Sequence, residues 1–264
     1  MNKLIDTSSQ IIAYAKDMAY SCQLKKKKIF SYPRFVVSFF LRRSWEMFES
    51  FIILIKERRI IDSAIILRSV LEMGISLGYI FSKDINEEET EIRAIIYMLD
   101  GDKQQLKLTN ANLEGFKEFN SHIKERRDEL KEQIIKMEDE LKNKYKTKDW
   151  SLPSIQVRAE LSRYNFFKKV YNQSYRDISN IEHHSMLFGQ HYVESKGCDP
   201  ILKINHLNFR SQLKPSVSLY LFRAVFIEIM NIFNKVFQLK WERKLSEMRE
   251  IHEKEYKLLR DRSN

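Results

Sequence analysis

Glycine and proline are scarce, with 6 and 4 residues in a chain of 264. An all-β fold needs turn residues roughly every 8–12 positions, so this supply excludes a turn-rich β protein. The six glycines are scattered and form neither GxxxxGK[ST] nor GxGxxG, which removes P-loop ATPases and dinucleotide-binding enzymes. HExxH is absent, and so is any Glu-x-x-His pair of the di-iron bundle type. Cysteine is limited to Cys22 and Cys198, with no CxxC pairing, which fits a reduced cytoplasmic protein without a structural disulfide. Long uninterrupted apolar runs are missing as well. Arg42, Arg43, Glu46 and Glu49 break the stretch 35–55, and Arg223, Glu228 and Lys235 break 216–239, so neither offers about 20 clean apolar residues for a membrane span. The first residues carry charges inside their apolar pattern, unlike a signal peptide. The expectation is a cytoplasmic protein that does not enter a membrane.

What is present points to helices. Apolar residues make up 43% and charged residues 31% of the chain, enough for a sizeable core. The fold class expected is all-α. Apolar residues at spacings of three and four predict a first helix over 3–23, a second opened by Ser31 and Pro33 and running to about Lys56, and a third from about Ile60 to Phe81. The third is apolar except for a narrow stripe of Asp62, Ser69, Glu72 and Ser76, with Arg68 beside it. A polar stripe buried in a bundle must find partners. A further helix over Asn86 to Leu108 has Glu87, Glu88 and Glu89 at its start, where the helix dipole favours them, and Gly101 weakens it later.

Residues 114–148 alternate acidic and basic side chains around a thin apolar seam of Phe116, Phe119, Ile123, Leu130, Ile134, Met137, Leu141 and Tyr145. This is an arm or hairpin that packs on a partner helix. The expected organisation is an N-terminal part of a bundle (1–113), the charged arm inserted in it (114–149) and a C-terminal part (150–264). In the last part Pro153 restarts helix near Ser154, another helix runs from Asn165 to about Met186, and 187–214 is irregular with a short strand at Ile201 to Asn205. Two helices over Ser216 to Phe237 and Trp241 to Arg260 complete it.

The formal charge of +10 favours a polyanionic partner, and residues 21–59 hold ten Lys or Arg against three Glu. Lys25, Lys26, Lys27 and Lys28 head that segment. They read either as a solvated loop or as a surface for a phosphate backbone.

The chemistry concentrates in YNQSYRDISNIEHH, residues 171–184. On a helix each residue advances by about 100°, so Arg176 and His183 fall within roughly 20° of each other, with Ser179 and Asn180 between them. A guanidinium for phosphate oxygens and an imidazole that moves a proton near neutral pH would share one face. The plain alternative is a helix whose Arg176 binds a neighbouring carboxylate and whose His183 meets a buried carbonyl. Arg68 and Glu72 read either as an i,i+4 ion pair or as a carboxylate that reaches across to orient Arg176 or His183. His183, His184, His191, Cys198 and His206 match no standard zinc spacing, so no metal or other cofactor is expected.

Arg176-Asp177 followed by His183 resembles the R-x4-6-H signature of the HEPN superfamily. LRSVLEMGISLGYI (67–80) together with YRDISNIEHHS (175–185) is also similar to an uncharacterised helical family with an RSxxE helix and a later YxxxSxxxH helix. The two resemblances meet at Arg68, Glu72, Tyr175, Ser179 and His183. They imply an HEPN-like helical bundle, often a homodimer, acting as a metal-independent endoribonuclease of the toxin or antiphage-defence type, or as an inactive binding domain.

In the active version His183 is the proton-transfer group and Arg176 the phosphate clamp. Ser179, Asn180 and Tyr175 position the RNA and Glu72 orients the pair, while Arg68, His184 and Lys25 to Lys28 supply further contacts. A neutralising or activating protein partner belongs to the same picture. Two rival readings stand beside it: a non-catalytic helical interaction protein that uses 114–148 and 240–262, and a module that binds nucleic acid or nucleotide without turnover.

Overall fold

A computed structural model describes residues 2–24, 31–115, 120–147, 149–162, 164–176, 178, 193–196, 199–202 and 214–261. The fold is all-α. Its helices are α1 (Asn2–Leu24), α2 (Tyr32–Lys56), α3 (Ile60–Ile80), α4 (Glu87–Gly115), α5 (Asn120–Asp139), α6 (Ile155–Leu161), α7 (Asn165–Val170), α8 (Pro215–Phe237) and α9 (Glu242–Asp261). Two strands, β1 (Val193–Lys196) and β2 (Asp199–Leu202), pair antiparallel as a short ribbon. The sequence places a strand slightly later, at Ile201 to Asn205, because it shows the second apolar run but not its polar partner.

Helix starts follow local chemistry. Ser31 caps α2 by accepting from the Arg34 amide at 3.5 Å, and Pro33 sits in the first turn, where its missing N–H costs nothing. Ser154 caps α6 in the same way, accepting from the Val157 amide at 3.4 Å. Gln238 closes α8 in the left-handed conformation, with φ 51°.

The centre is a triangle of α2, α3 and α8, each packed on the other two. Phe48 of α2 stacks on Phe222 of α8 at 4.2 Å, and Phe226 meets Phe48 edge-on at 5.4 Å. By length and composition α8 could cross a membrane, but most of it is buried inside this triangle, where a core helix has the same composition. α1 packs on α2 and α8, α9 on α8, and α6 and α7 on α3.

The charged arm takes a form the sequence shows only in part. Gly101 does not end α4, which continues to Gly115 and supplies the partner for α5. Ile95, Ile96 and Leu99 of α4 bury Ile134, Met137 and Leu141 in a second apolar cluster. Lys103 pairs with Glu138 at 2.7 Å further along the hairpin, and the Tyr32 hydroxyl donates to Glu140 at 3.1 Å, tying its base to α2.

α9 docks through a buried polar contact. Arg223 of α8 is 0% exposed and pairs with Glu255 of α9, whose other carboxylate oxygen accepts from the Thr7 hydroxyl of α1 at 3.0 Å. Beside them His252 stacks on Tyr220 at 3.9 Å between ring centres. Burial, and then the Arg223 charge, push the His252 imidazole down from 6.5 to about 3. Below about pH 6.5 the unfolded chain therefore binds a proton that the folded one refuses, so this residue withdraws stability as pH falls from there towards 3. His252→Phe keeps the ring stack and removes the proton. Its melting temperature is expected to change less between pH 7 and pH 5 than that of the wild type, as calorimetry would show.

Candidate functional site

α3 presents Arg68, Glu72 and Ser76 at intervals of four, one above the other on a single face. Two later segments cover that face: α6, which carries Arg158, and the turn Tyr171–Tyr175, which follows α7. This turn is wider than α, since the Arg176 amide bonds back five residues to the Tyr171 carbonyl. Such π turns take up an extra residue and re-aim the side chains around it.

The approach depends on two glycines. Phe167 of α7 lies over Gly74 and Gly78, where a Cβ would stand 3.0 Å and 2.3 Å from its ring. Only glycine admits the ring this close, and the ring fixes how α7 and the wide turn lie along α3.

The result is a compact network. The Tyr175 hydroxyl accepts from Arg68 Nη2 at 3.3 Å and donates to Glu72 Oε2 at 3.4 Å. The Arg68 guanidinium also sits 5.5 Å from the centre of the Tyr175 ring, and Tyr171 stacks on that ring's neighbourhood at 5.6 Å. Arg158, which is buried, donates to the Ser76 hydroxyl and stands 3.7 Å from Glu72 Oε1. Ser76 in turn donates to the Glu72 carbonyl at 2.8 Å. Burial raises the Tyr175 phenol, while its hydrogen bond to Arg68 works against this and Glu72 adds to it. The phenol therefore stays protonated and acts as a donor to Glu72. Tyr97 of α4 is pushed up to about 12 by burial, with Arg158 and Glu72 both acting on it electrostatically.

Of the residues singled out in the sequence, Arg68, Glu72 and Tyr175 are brought together. Arg176 follows directly; it is exposed, and its side chain makes no ion pair or hydrogen bond among the described residues. The expected i,i+4 pair of Arg68 with Glu72 does not form, because Arg68 leans onto Tyr175 while Glu72 serves Tyr175 and Arg158. For the same reason Glu72 is not the direct partner of Arg176. Ser179, Asn180, His183, His184 and Lys25, Lys26, Lys27 and Lys28 lie outside the described residues.

Arg158 and Tyr97 are the members that sequence reasoning missed. The stripe on α3 announces that partners are needed, but nothing local marks an arginine 82 positions away from Ser76 as one of them. Among the described residues no cluster of three or more His, Cys, Asp or Glu could hold a metal ion. Chemically, the network places two guanidiniums and a phenol around a carboxylate that is 41% exposed at its side chain. It is a rigid mount for the first turn of whatever helix follows Tyr175.

The model of a family described as a family of unknown function (DUF5677) matches residues 34–199, which span α2 to β2 and contain every member of the network. No curated protein and no solved structure matches the chain.

Proposed function

The chain belongs to this family of unknown function, DUF5677, and from that premise we propose that it is an HEPN-type endoribonuclease that cleaves RNA through the substrate's own 2′-hydroxyl. The observation that carries the reading is the placement of Arg176. It is exposed, engages no other described side chain, and directly follows a tyrosine fixed from both sides by Arg68 and Glu72. Such a mount keeps a guanidinium pre-positioned for a phosphodiester, which is where electrostatic catalysis is effective.

In this reading His183 takes the proton from the 2′-oxygen, which attacks phosphorus and expels the 5′-oxygen as a 2′,3′-cyclic phosphate forms. The imidazolium returns the proton to the departing oxygen, and Arg176 balances the charge that builds on the phosphorane. Ser179, Asn180 and His184 contact the strand, and Lys25 to Lys28 hold its backbone at a distance. DNA lacks the nucleophile and should resist. A second protomer and a neutralising or activating protein fit the same reading, as does a cytoplasmic setting.

The test is RNA cleavage by purified protein in EDTA. Arg176→Ala is expected to slow cleavage by about 10²–10³-fold and His183→Ala by about 10²–10⁴-fold. Equal cleavage by all three proteins would refute the assignment.

One observation favours a second reading, a non-catalytic interaction protein. Arg158, Glu72, Ser76 and Tyr175 satisfy one another inside the fold, as a purely structural network would. That reading expects no turnover of RNA by the wild type and a partner that binds through the α4–α5 hairpin.

A further inference from the structure

A cavity of about 320 Å³ opens where the end of α3, the start of α4, the entry to α7 and the last turns of α8 meet. Its walls are Phe81, Tyr164, Ile232 and Val236, with the hydroxyls of Ser82 and Thr90 and the ammonium groups of Lys83 and Lys235. No carboxylate is among these lining residues. The acids nearby are engaged elsewhere: Glu89 holds Arg93 at 2.7 Å, and Glu228 holds Arg249 at 2.8 Å.

Neither lysine forms an ion pair among the described residues; Lys83 rests 5.2 Å from the centre of the Tyr164 ring. Ser82 is 6% exposed, and its Oγ has no hydrogen-bond partner among the described residues. An unpartnered buried hydroxyl is uncommon in a folded protein and calls for a reason. Here it sits in the wall of a cavity that also carries two uncompensated cations.

We propose that this cavity binds a small aromatic phosphate, with a nucleoside monophosphate as its natural representative. The size is at the small end for ligand pockets, about 300–1,000 Å³, and suits one ring system with one anionic group. The phosphate lies between Lys83 and Lys235, the ring against Phe81, Ile232 and Val236, and the hydroxyls of Ser82 and Thr90 serve its polar edge. The occupant grips the point where α3 hands over to α7, since the Tyr164 hydroxyl donates to the Phe81 carbonyl at 3.3 Å and Tyr164 is the residue before α7. It is therefore placed to tighten the helix that leads to Tyr175. The inference does not depend on ribonuclease activity, because its readout is binding.

Titration calorimetry on the full chain tests it with AMP and phenyl phosphate as probes. Saturable one-to-one binding of both is expected, with a matching rise in melting temperature. Lys83→Ala and Lys235→Ala should each weaken binding at least about tenfold, the size of one charge-assisted hydrogen bond, and Lys→Arg at either position should restore most of it. Adenosine and inorganic phosphate, each with half of the contacts, should bind more weakly than AMP. Three results overturn the proposal: AMP binding unchanged in both alanine variants, adenosine or inorganic phosphate binding as tightly as AMP, or no saturable binding of either probe up to about 10 mM. The lysines are exposed, so the variants fold and each outcome is readable.

Discussion

Glu255→Ala is expected to cost about 3–5 kcal/mol, because it leaves the Arg223 charge inside the protein without its partner. Arg223 is 0% exposed, and its Nε and Nη2 already lack hydrogen-bond partners among the described residues, so the pair with Glu255 is its one charged contact there. The same carboxylate holds Thr7 at 3.0 Å, so the change also loosens α1 at the place where three helices meet. In a chain of this size the loss corresponds to a fall in melting temperature of roughly 6–20 °C. A compensating variant makes the cause visible. Arg223→Met with Glu255→Leu removes both charges and fills similar volume, and should recover most of the loss, since a well-packed apolar pair is often no worse than a buried ion pair. If the single variant unfolds within a degree of the wild type, the pair is not the fastening it looks like.

Phe167→Ala is the second large effect, expected at about 3–5 kcal/mol for deleting a buried aromatic ring. The ring is fully buried over Gly74 and Gly78, so the space left behind lies between α3 and α7. Gly78→Ala attacks the same contact from the other side. Alanine is the better helix former by about 1 kcal/mol, but its Cβ would stand 2.3 Å from the Phe167 ring and force it away. Overpacking of this kind costs about 1–3 kcal/mol, so the net sign is destabilising. Urea unfolding measures both. Because Phe167 precedes the turn that carries Tyr175, each variant should also lower any activity that relies on Arg176 by more than its stability loss explains at 20 °C below the new melting point. A Gly78→Ala protein more stable than the wild type would overturn the packing argument.

Much of the fold was legible because it rests on local signals. Ser31 with Pro33, Ser154 after Pro153, and the three-and-four spacing of apolar residues in α1, α2, α3 and α8 place helices close to where they lie. The hairpin was half legible. The seam of Ile134, Met137 and Leu141 shows that α5 needs a partner, but Gly101 argues for ending the helix that provides it. A glycine in the middle of a helix costs only about 1 kcal/mol, and the packing of Ile95, Ile96 and Leu99 outweighs that.

For the site, the α3 stripe and Tyr175 could be read because polar residues on an apolar helix demand company. Arg158 could not, since its contact with Ser76 is decided by how α6 folds back on α3 and not by anything near it in the chain. The role of Glu72 was misread for a related reason. Helical spacing ranks neighbours along one helix, and it says nothing of an arginine arriving from another.

The wide turn at Tyr171–Tyr175 holds one residue more than an α turn would. Deleting any one of its five residues would let the segment relax to ordinary helix. Arg176 would then rotate by about 100° around the axis and slide back by about 1.5 Å relative to α3. The azimuth of that guanidinium is thus set by chain length upstream of it, so insertions and deletions here should be far less forgivable than substitutions.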